Sequence, residues 1–126
     1  MLIKSGVEVG IITGRSSPAV KKRAEALGIK YLIMGQEAKL EALDEIKRES
    51  GFDNHDIAFM GDDYPDLPVM MSVAASFSVP NAHEELLARA SYVTHKKGGE
   101  GAVREVCDAL LKAQNQYDAA LAPYLV

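Results

Sequence analysis

Three carboxylates fall within five residues in the run Gly61-Asp62-Asp63-Tyr64-Pro65-Asp66. Clustered carboxylate oxygens suit a hard cation such as Mg2+, which commonly takes one or two protein carboxylates and leaves its other positions to water and substrate phosphate. The structural alternative is a solvated acidic turn whose aspartates cap a helix. A second group, Thr13-Gly14-Arg15, offers a hydroxyl, a glycine and a guanidinium in succession. At a strand-to-helix junction a hydroxyl and backbone N–H groups can hold phosphate oxygens, and a guanidinium is a forked donor for phosphate or carboxylate. Lys39 adds a lone cation that matters only if the fold turns it toward the other two groups. On a helix it is otherwise a solvated charge.

The elements that must position these groups can be read along the chain. Val7 to Thr13 is a short β-branched run that predicts a strand, followed by a helix from Ala19 to Leu27 with Ser16-Ser17-Pro18 as its start and Gly28 as its stop. Ile29 to Met34 reads as a second strand before Gly35. Gln36 to Ser50 repeats Leu40, Leu43 and Ile46 at helical spacing and is closed by Gly51. Ile57 to Met60 is a continuous apolar run of strand length, and it delivers the acidic cluster at its carboxyl end. A short helix around Leu67 to Ser72, a strand at Ala75 to Val79, a helix from Ala82 to Ala90, a strand at Tyr92 to Thr94 and a helix from Gly101 complete the alternation. The tail from Asn115 is expected to continue that helix as far as Ala122, with an extended end from Pro123. Strands alternating with helices call for an α/β fold with an open, doubly wound parallel sheet, in which ligands gather at the carboxyl ends of the strands. Thr13 and Asp62-Asp63 are both expected there.

Composition narrows the function classes. A chain of 126 residues fits one domain with one core. A net charge of −4 with scattered Lys and Arg gives no basic stripe, so nucleic acid is not the expected partner. No apolar run approaches the ~20 residues of a bilayer span, and Lys4, Glu8 and Arg15 interrupt the N-terminal stretch. No membrane association and a cytoplasmic location are expected. Cys107, the single cysteine, is expected as a buried reduced thiol. His55, His83 and His95 show no ligand spacing and read as surface or capping residues. Met34, Met60, Met70 and Met71 read as core filling.

An apolar strand ending in Thr13, then Lys39, then a strand ending in Gly-Asp-Asp-x-x-Asp resembles the second, third and fourth motifs of the haloacid dehalogenase superfamily, in order and in strand context. The runs Ile11 to Arg15, Arg23 ahead of Leu27-Gly28-Ile29, Gly61 to Met70 and Gly98 to Asp108 narrow the resemblance to the capless 3-deoxy-D-manno-octulosonate 8-phosphate phosphatases. It covers essentially the whole chain; Gly98 to Asp108 is the most specific signal for these phosphatases, and Gly-Asp-Asp-x-x-Asp for the superfamily.

The resemblance implies a Mg2+-dependent phosphatase acting on a small phosphorylated sugar acid of lipopolysaccharide precursor synthesis through an aspartyl-phosphate. It gives Thr13 and Lys39 the catalytic work of holding phosphate and neutralising charge. It places Gly14, Arg15 and Arg23 with them in substrate binding, and has Asp62, Asp63 and Asp66 hold or order the metal. The Gly98 to Gly101 loop and Arg104 read equally as a closure over substrate or as a turn and a solvated charge. The family's nucleophile and general acid stand in an Asp-x-Asp motif on a strand that should precede Ile11-Ile12-Thr13, yet no Asp occurs ahead of Ile11. The chain is thus expected to be a partial, N-terminally truncated domain without that strand or the family's β-hairpin flap, and inactive by itself. A fragment, an alternative start and a truncated gene product all remain open. The absent strand would lie between the Ile11-Ile12-Thr13 strand and the Ile57 to Met60 strand. The family's tetramer makes a homo-oligomer the expected assembly. The alternatives are an inactive chain that retains metal or phosphate binding, a phosphatase for a nine-carbon sugar-acid phosphate, and a receiver-like module. In the last, Thr and Lys would follow the acidic strand end, whereas Thr13 and Lys39 precede Asp62.

Overall fold

The computed structural model describes residues 2–3, 6–14, 16–36, 38–97, 101–114, 119 and 121–124. Among the described residues five strands and five helices alternate: β1 Gly10–Ile12, α1 Pro18–Leu27, β2 Tyr31–Ile33, α2 Lys39–Ser50, β3 Ala58–Met60, α3 Leu67–Met70, β4 Ala75–Ser78, α4 Glu84–Arg89, β5 Tyr92–Val93 and α5 Ala102–Ala113. Every strand pairing among the described residues is parallel, as the alternation requires. The α/β class therefore holds.

The sheet is not continuous. β1 pairs with β2 in one piece, and β3, β4 and β5 pair in that order in a second. Among the described residues β1 and β3 each keep one edge without a strand partner, and these are the two strands between which the resemblance implies another. Helix packing joins the pieces, since α2 touches both β1 and α3, and α3 touches β3 and β4. The core is built from Leu43 and Ala42 of α2, Val69 and Met70 of α3, Phe77 and Val79 of the β4 region, Leu86 of α4, and Ala102, Val106 and Leu111 of α5.

Local chemistry explains where the elements start and stop. Ser17 caps α1 by accepting the Val20 N–H at 3.3 Å, Pro18 fits the first turn, and Gly28 ends the helix at φ 74°. α2 starts at Lys39 rather than Gln36. No capping side chain is available at Ala38, and the Gln36 N–H is spent on the Thr13 carbonyl at 3.4 Å. α4 starts at Glu84 rather than Ala82, because the Ala82 N–H turns back to the Val79 carbonyl and His83 Nδ1 accepts from the Glu85 N–H at 3.2 Å. A 3-10 turn at Asn54–Asp56, unforeseen from periodicity, is closed by reciprocal bonds between Asp53 and Asp56. Ala122–Tyr124 also forms a 3-10 turn rather than an extended end; α5 stops at Ala113, and residues 115–118 and 120 of the tail expected to continue it lie outside the described residues. Among the described residues no helix is long and apolar enough to cross a membrane. Cys107 is half-buried rather than buried, and burial pushes its thiol up. Met70 is in the core, whereas Met71 is 64% exposed and fills nothing.

Candidate functional site

Within each sheet piece the parallel strands send their carboxyl ends one way, and Lys39 connects the end of β1 with the loop after β3, since it reaches both the Ile12 carbonyl and Asp66. Thr13 follows β1 directly. It is half-buried, with its N–H donating to the Ile33 carbonyl at 2.9 Å and its own carbonyl accepting from Gln36. These two bonds extend the β1–β2 pairing by one residue and hold Thr13 at the strand tip. Gly14 lies just beyond it and is exposed. Arg15 lies outside the described residues.

The acidic run after β3 is a folded loop rather than three equivalent ligands. Asp66 is 8% exposed, and its Oδ2 accepts the Asp62 N–H at 3.0 Å and the Asp63 N–H at 3.3 Å. It is a strut that closes the loop on itself. Gly61 makes room for it, since a Cβ at that position would sit 2.5 Å from the Asp66 Cβ. Asp63 accepts from the Tyr64 N–H at 2.8 Å and so caps the 3-10 turn Tyr64–Asp66. Asp62 is exposed, and its carboxylate takes no hydrogen bond or ion pair among the described residues. Its backbone carbonyl accepts the His83 N–H at 3.2 Å, which ties the loop to the start of α4. The described residues bring no group of three or more His, Cys, Asp or Glu side chains into a metal-holding cluster.

Lys39 joins the two regions. As the first residue of α2 it reaches toward the strand tips, where Nζ donates to the Ile12 carbonyl at 3.3 Å and lies 3.3 Å from Asp66 Oδ1. Both side chains of this ion pair are largely buried, at 14% and 11% exposure. One ammonium group therefore reaches the end of β1 and the strut under the acidic loop. Arg23 is exposed on α1, and no hydrogen bond or ion pair connects it with Thr13, Lys39 or the aspartates among the described residues. Gly98, Gly99 and Glu100 lie outside the described residues, and Arg104 is exposed on α5.

Two contacts at the acidic loop escape sequence reasoning. Ser78, fully buried on β4, donates its hydroxyl to the Gly61 carbonyl at 2.8 Å. Tyr64, 55% exposed, packs its ring against His83 with centroids 4.1 Å apart. A serine inside an apolar strand is the one signal in the sequence that could have pointed to the first. Farther along the same sheet edge, Glu105 of α5 accepts the His95 and Lys96 N–H groups and the Tyr92 hydroxyl. The His95 N–H, first among these donors, holds the Glu105 carboxyl below the usual glutamate range.

Comparison with known proteins bears on this arrangement. The sequence matches the haloacid dehalogenase-like hydrolases over residues 33–106. It is 47% identical over 118 residues to the 3-deoxy-D-manno-octulosonate 8-phosphate phosphatase KdsC of Salmonella typhi, a match that covers 94% of this chain and 63% of that protein. The chain thus spans less than two thirds of that relative's length. The fold is similar to a probable YrbI family phosphatase from Pseudomonas syringae, with a TM-score of 0.96 and 42% identity over 99% of this chain and 71% of that one. It is also similar to the 3-deoxy-D-manno-octulosonate 8-phosphate phosphatase of Moraxella catarrhalis, solved in complex with a magnesium ion, a phosphate ion and a KDO molecule. That match has a TM-score of 0.94 and 46% identity, and covers 98% of this chain and 71% of that one. An acidic loop after a parallel strand, a lysine reaching under it and a threonine at the neighbouring strand tip thus accompany extensive sequence identity, and the chain belongs to the haloacid dehalogenase-like hydrolases.

Proposed function

We propose that this chain provides the phosphate- and metal-binding part of a Mg2+-dependent phosphatase that hydrolyses 3-deoxy-D-manno-octulosonate 8-phosphate to the free sugar acid and phosphate. The observation that carries this reading is Lys39, whose ammonium lies 3.3 Å from both the Ile12 carbonyl and Asp66 Oδ1 and so sits between Thr13 and the acidic loop. The similarity to a protein solved with magnesium, phosphate and a KDO molecule supports the choice of substrate.

The residues present fit a hard cation: Asp62 is an exposed carboxylate without an internal partner among the described residues, next to Asp63, and both are oxygen donors of the kind Mg2+ takes. Asp62 would hold the metal with Asp63 beside it, while Asp66 orders the loop from beneath. Bound there, Mg2+ supplies positive charge against the phosphoryl oxygens. The Thr13 hydroxyl binds a phosphate oxygen, and Lys39 offsets the charge that builds as the ester bond breaks. Arg15 and Arg23 are assigned to the sugar acid's carboxylate, which a planar guanidinium fork suits. The attacking group is a carboxylate that forms an aspartyl-phosphate, expels the sugar alcohol, and is then freed by water. The Asp-x-Asp motif that carries it in the family does not occur in these 126 residues. The same reading brings with it the family's homotetramer and a cytoplasmic setting.

By itself, the chain binds without turning over. Mg2+ titration by calorimetry is expected to give heat with the chain and none with Asp62→Asn/Asp63→Asn, and equal heats from both would sink the metal assignment. Phosphate release from 3-deoxy-D-manno-octulosonate 8-phosphate by this chain, dependent on Mg2+ and abolished by Asp62→Ala, would overturn the assignment of the attack to another carboxylate.

A further inference from the structure

Ser78 is 0% exposed and lies on β4, in the middle strand of the three-stranded piece. A hydroxyl there costs desolvation energy unless it is bonded, and alanine would fill a buried strand position without that cost. Its partner is the Gly61 carbonyl, 2.8 Å away, in the peptide that leads directly into Asp62.

That peptide is held from several sides. In the preceding peptide the Gly61 N–H donates to the Phe77 carbonyl at 3.1 Å, which continues the β3–β4 pairing one residue past Met60. The Gly61 Cα packs against the Asp66 side chain so tightly that no Cβ fits. Asp66 then takes the next two N–H groups, those of Asp62 and Asp63. The Ser78 hydroxyl is the side-chain bond that fixes the carbonyl end of the same peptide. The plane of that peptide is anchored at its C=O by Ser78 and at its N–H by Asp66, and with the Asp63 N–H also held by Asp66 the Cα–Cβ direction of Asp62 is set jointly by β4 and the buried Asp66.

We propose that Ser78 is a positioning residue for the Asp62 carboxylate, acting through the Gly61 carbonyl without touching metal or substrate. This rests on the reading of Asp62 as the Mg2+ ligand, since partners behind a ligand commonly control metal affinity as strongly as many ligands do.

The test compares Ser78→Ala with Ser76→Ala in the whole chain. Ser76 is also buried, at 3% exposure, but its hydroxyl bonds with Ser91, away from the acidic loop. Both substitutions remove a buried hydroxyl from the same strand, so general loss of stability affects both. Only Ser78→Ala is expected to weaken Mg2+ binding, by about tenfold. In the metal-free chain it is expected to speed hydrogen exchange at the Asp62 and Asp63 amides by roughly tenfold, as fits the loss of one buried bond. Ser78→Cys keeps the size with a poor donor and is expected to follow Ser78→Ala. Equal losses in Ser78→Ala and Ser76→Ala, or a Ser78→Cys chain indistinguishable from the parent, would overturn the proposal. Absence of Mg2+ binding in the parent overturns the metal reading instead, and amide exchange in the metal-free chain still decides the role of Ser78.

Discussion

Replacing Lys39 by Met removes the ammonium while keeping an unbranched side chain, and its cost can be worked from the geometry. Lys39 Nζ and Asp66 Oδ1 lie 3.3 Å apart with both side chains largely buried. At an effective dielectric of about 20, charges at that distance attract by about 5 kcal/mol before desolvation is counted. Removing one partner of a buried pair typically costs ~3–5 kcal/mol, because the other charge is left uncompensated. Asp66 would keep the Asp62 and Asp63 N–H donors, which places the expected loss near the lower end, at about 3 kcal/mol. That is a large share of the ~5–15 kcal/mol by which a domain is stable. Urea unfolding of the parent, Lys39→Met, Asp66→Asn and the double variant measures both the loss and the coupling. A loss below about 1 kcal/mol would be that of an ordinary exposed ion pair. That result, or strictly additive single effects, would refute the reading of Lys39 and Asp66 as a buried, coupled ion pair between the end of β1 and the acidic loop.

Gly61→Ala forces a Cβ to within 2.5 Å of the Asp66 Cβ and is expected to cost ~1–3 kcal/mol, as overpacking does, read from the shift in the urea midpoint. Glu105 has a lowered carboxyl pKa in the fold, so its stabilisation is complete above the unfolded-state value and is lost as pH falls through the lower, folded one. Glu105→Gln is therefore expected to melt with a shallower acid dependence than the parent, and an unchanged slope in thermal scans at stepped pH would refute this. The edges of β1 and β3 that carry no strand partner among the described residues are expected to drive association of the isolated chain. Size-exclusion chromatography with mass determination would contradict that if it found a cooperatively melting monomer of 13.6 kDa.

The order of elements was legible because this fold advertises itself through short apolar runs separated by capped helices. Ser17-Pro18 and Gly28 marked both ends of α1, since they work through local backbone chemistry that the sequence carries whole. The starts of α2 and α4 were misplaced because Gln36 and Ala82 give their N–H groups to Thr13 and Val79, contacts that helical periodicity does not register. The candidate site was legible as residue types, while the different places its aspartates take in the loop were not. Three aspartates in a row of six look alike in sequence, and only the folded loop separates Asp66, turned inward onto two N–H groups and Lys39, from exposed Asp62. Ser78 went unseen for a related reason, since a buried serine declares itself only through the carbonyl it faces.

Lys39 carries this further, because its donors are shared between fold and proposed function. An ammonium has three N–H donors. Among the described residues two groups face them, the Ile12 carbonyl and Asp66. One donor is then left, and in the proposed function it would meet a phosphate oxygen near Thr13 and Asp62. The compact, rotatable ammonium can meet three partners that do not lie in one plane, a geometry that a planar guanidinium cannot reproduce. The internal pair also keeps the charge from wandering into solvent, so the cation is already oriented when an anion arrives and little ordering remains to be done at binding. The contact that ties β1 to the acidic loop is therefore the same contact that aims the positive charge, and neither task can be altered without disturbing the other.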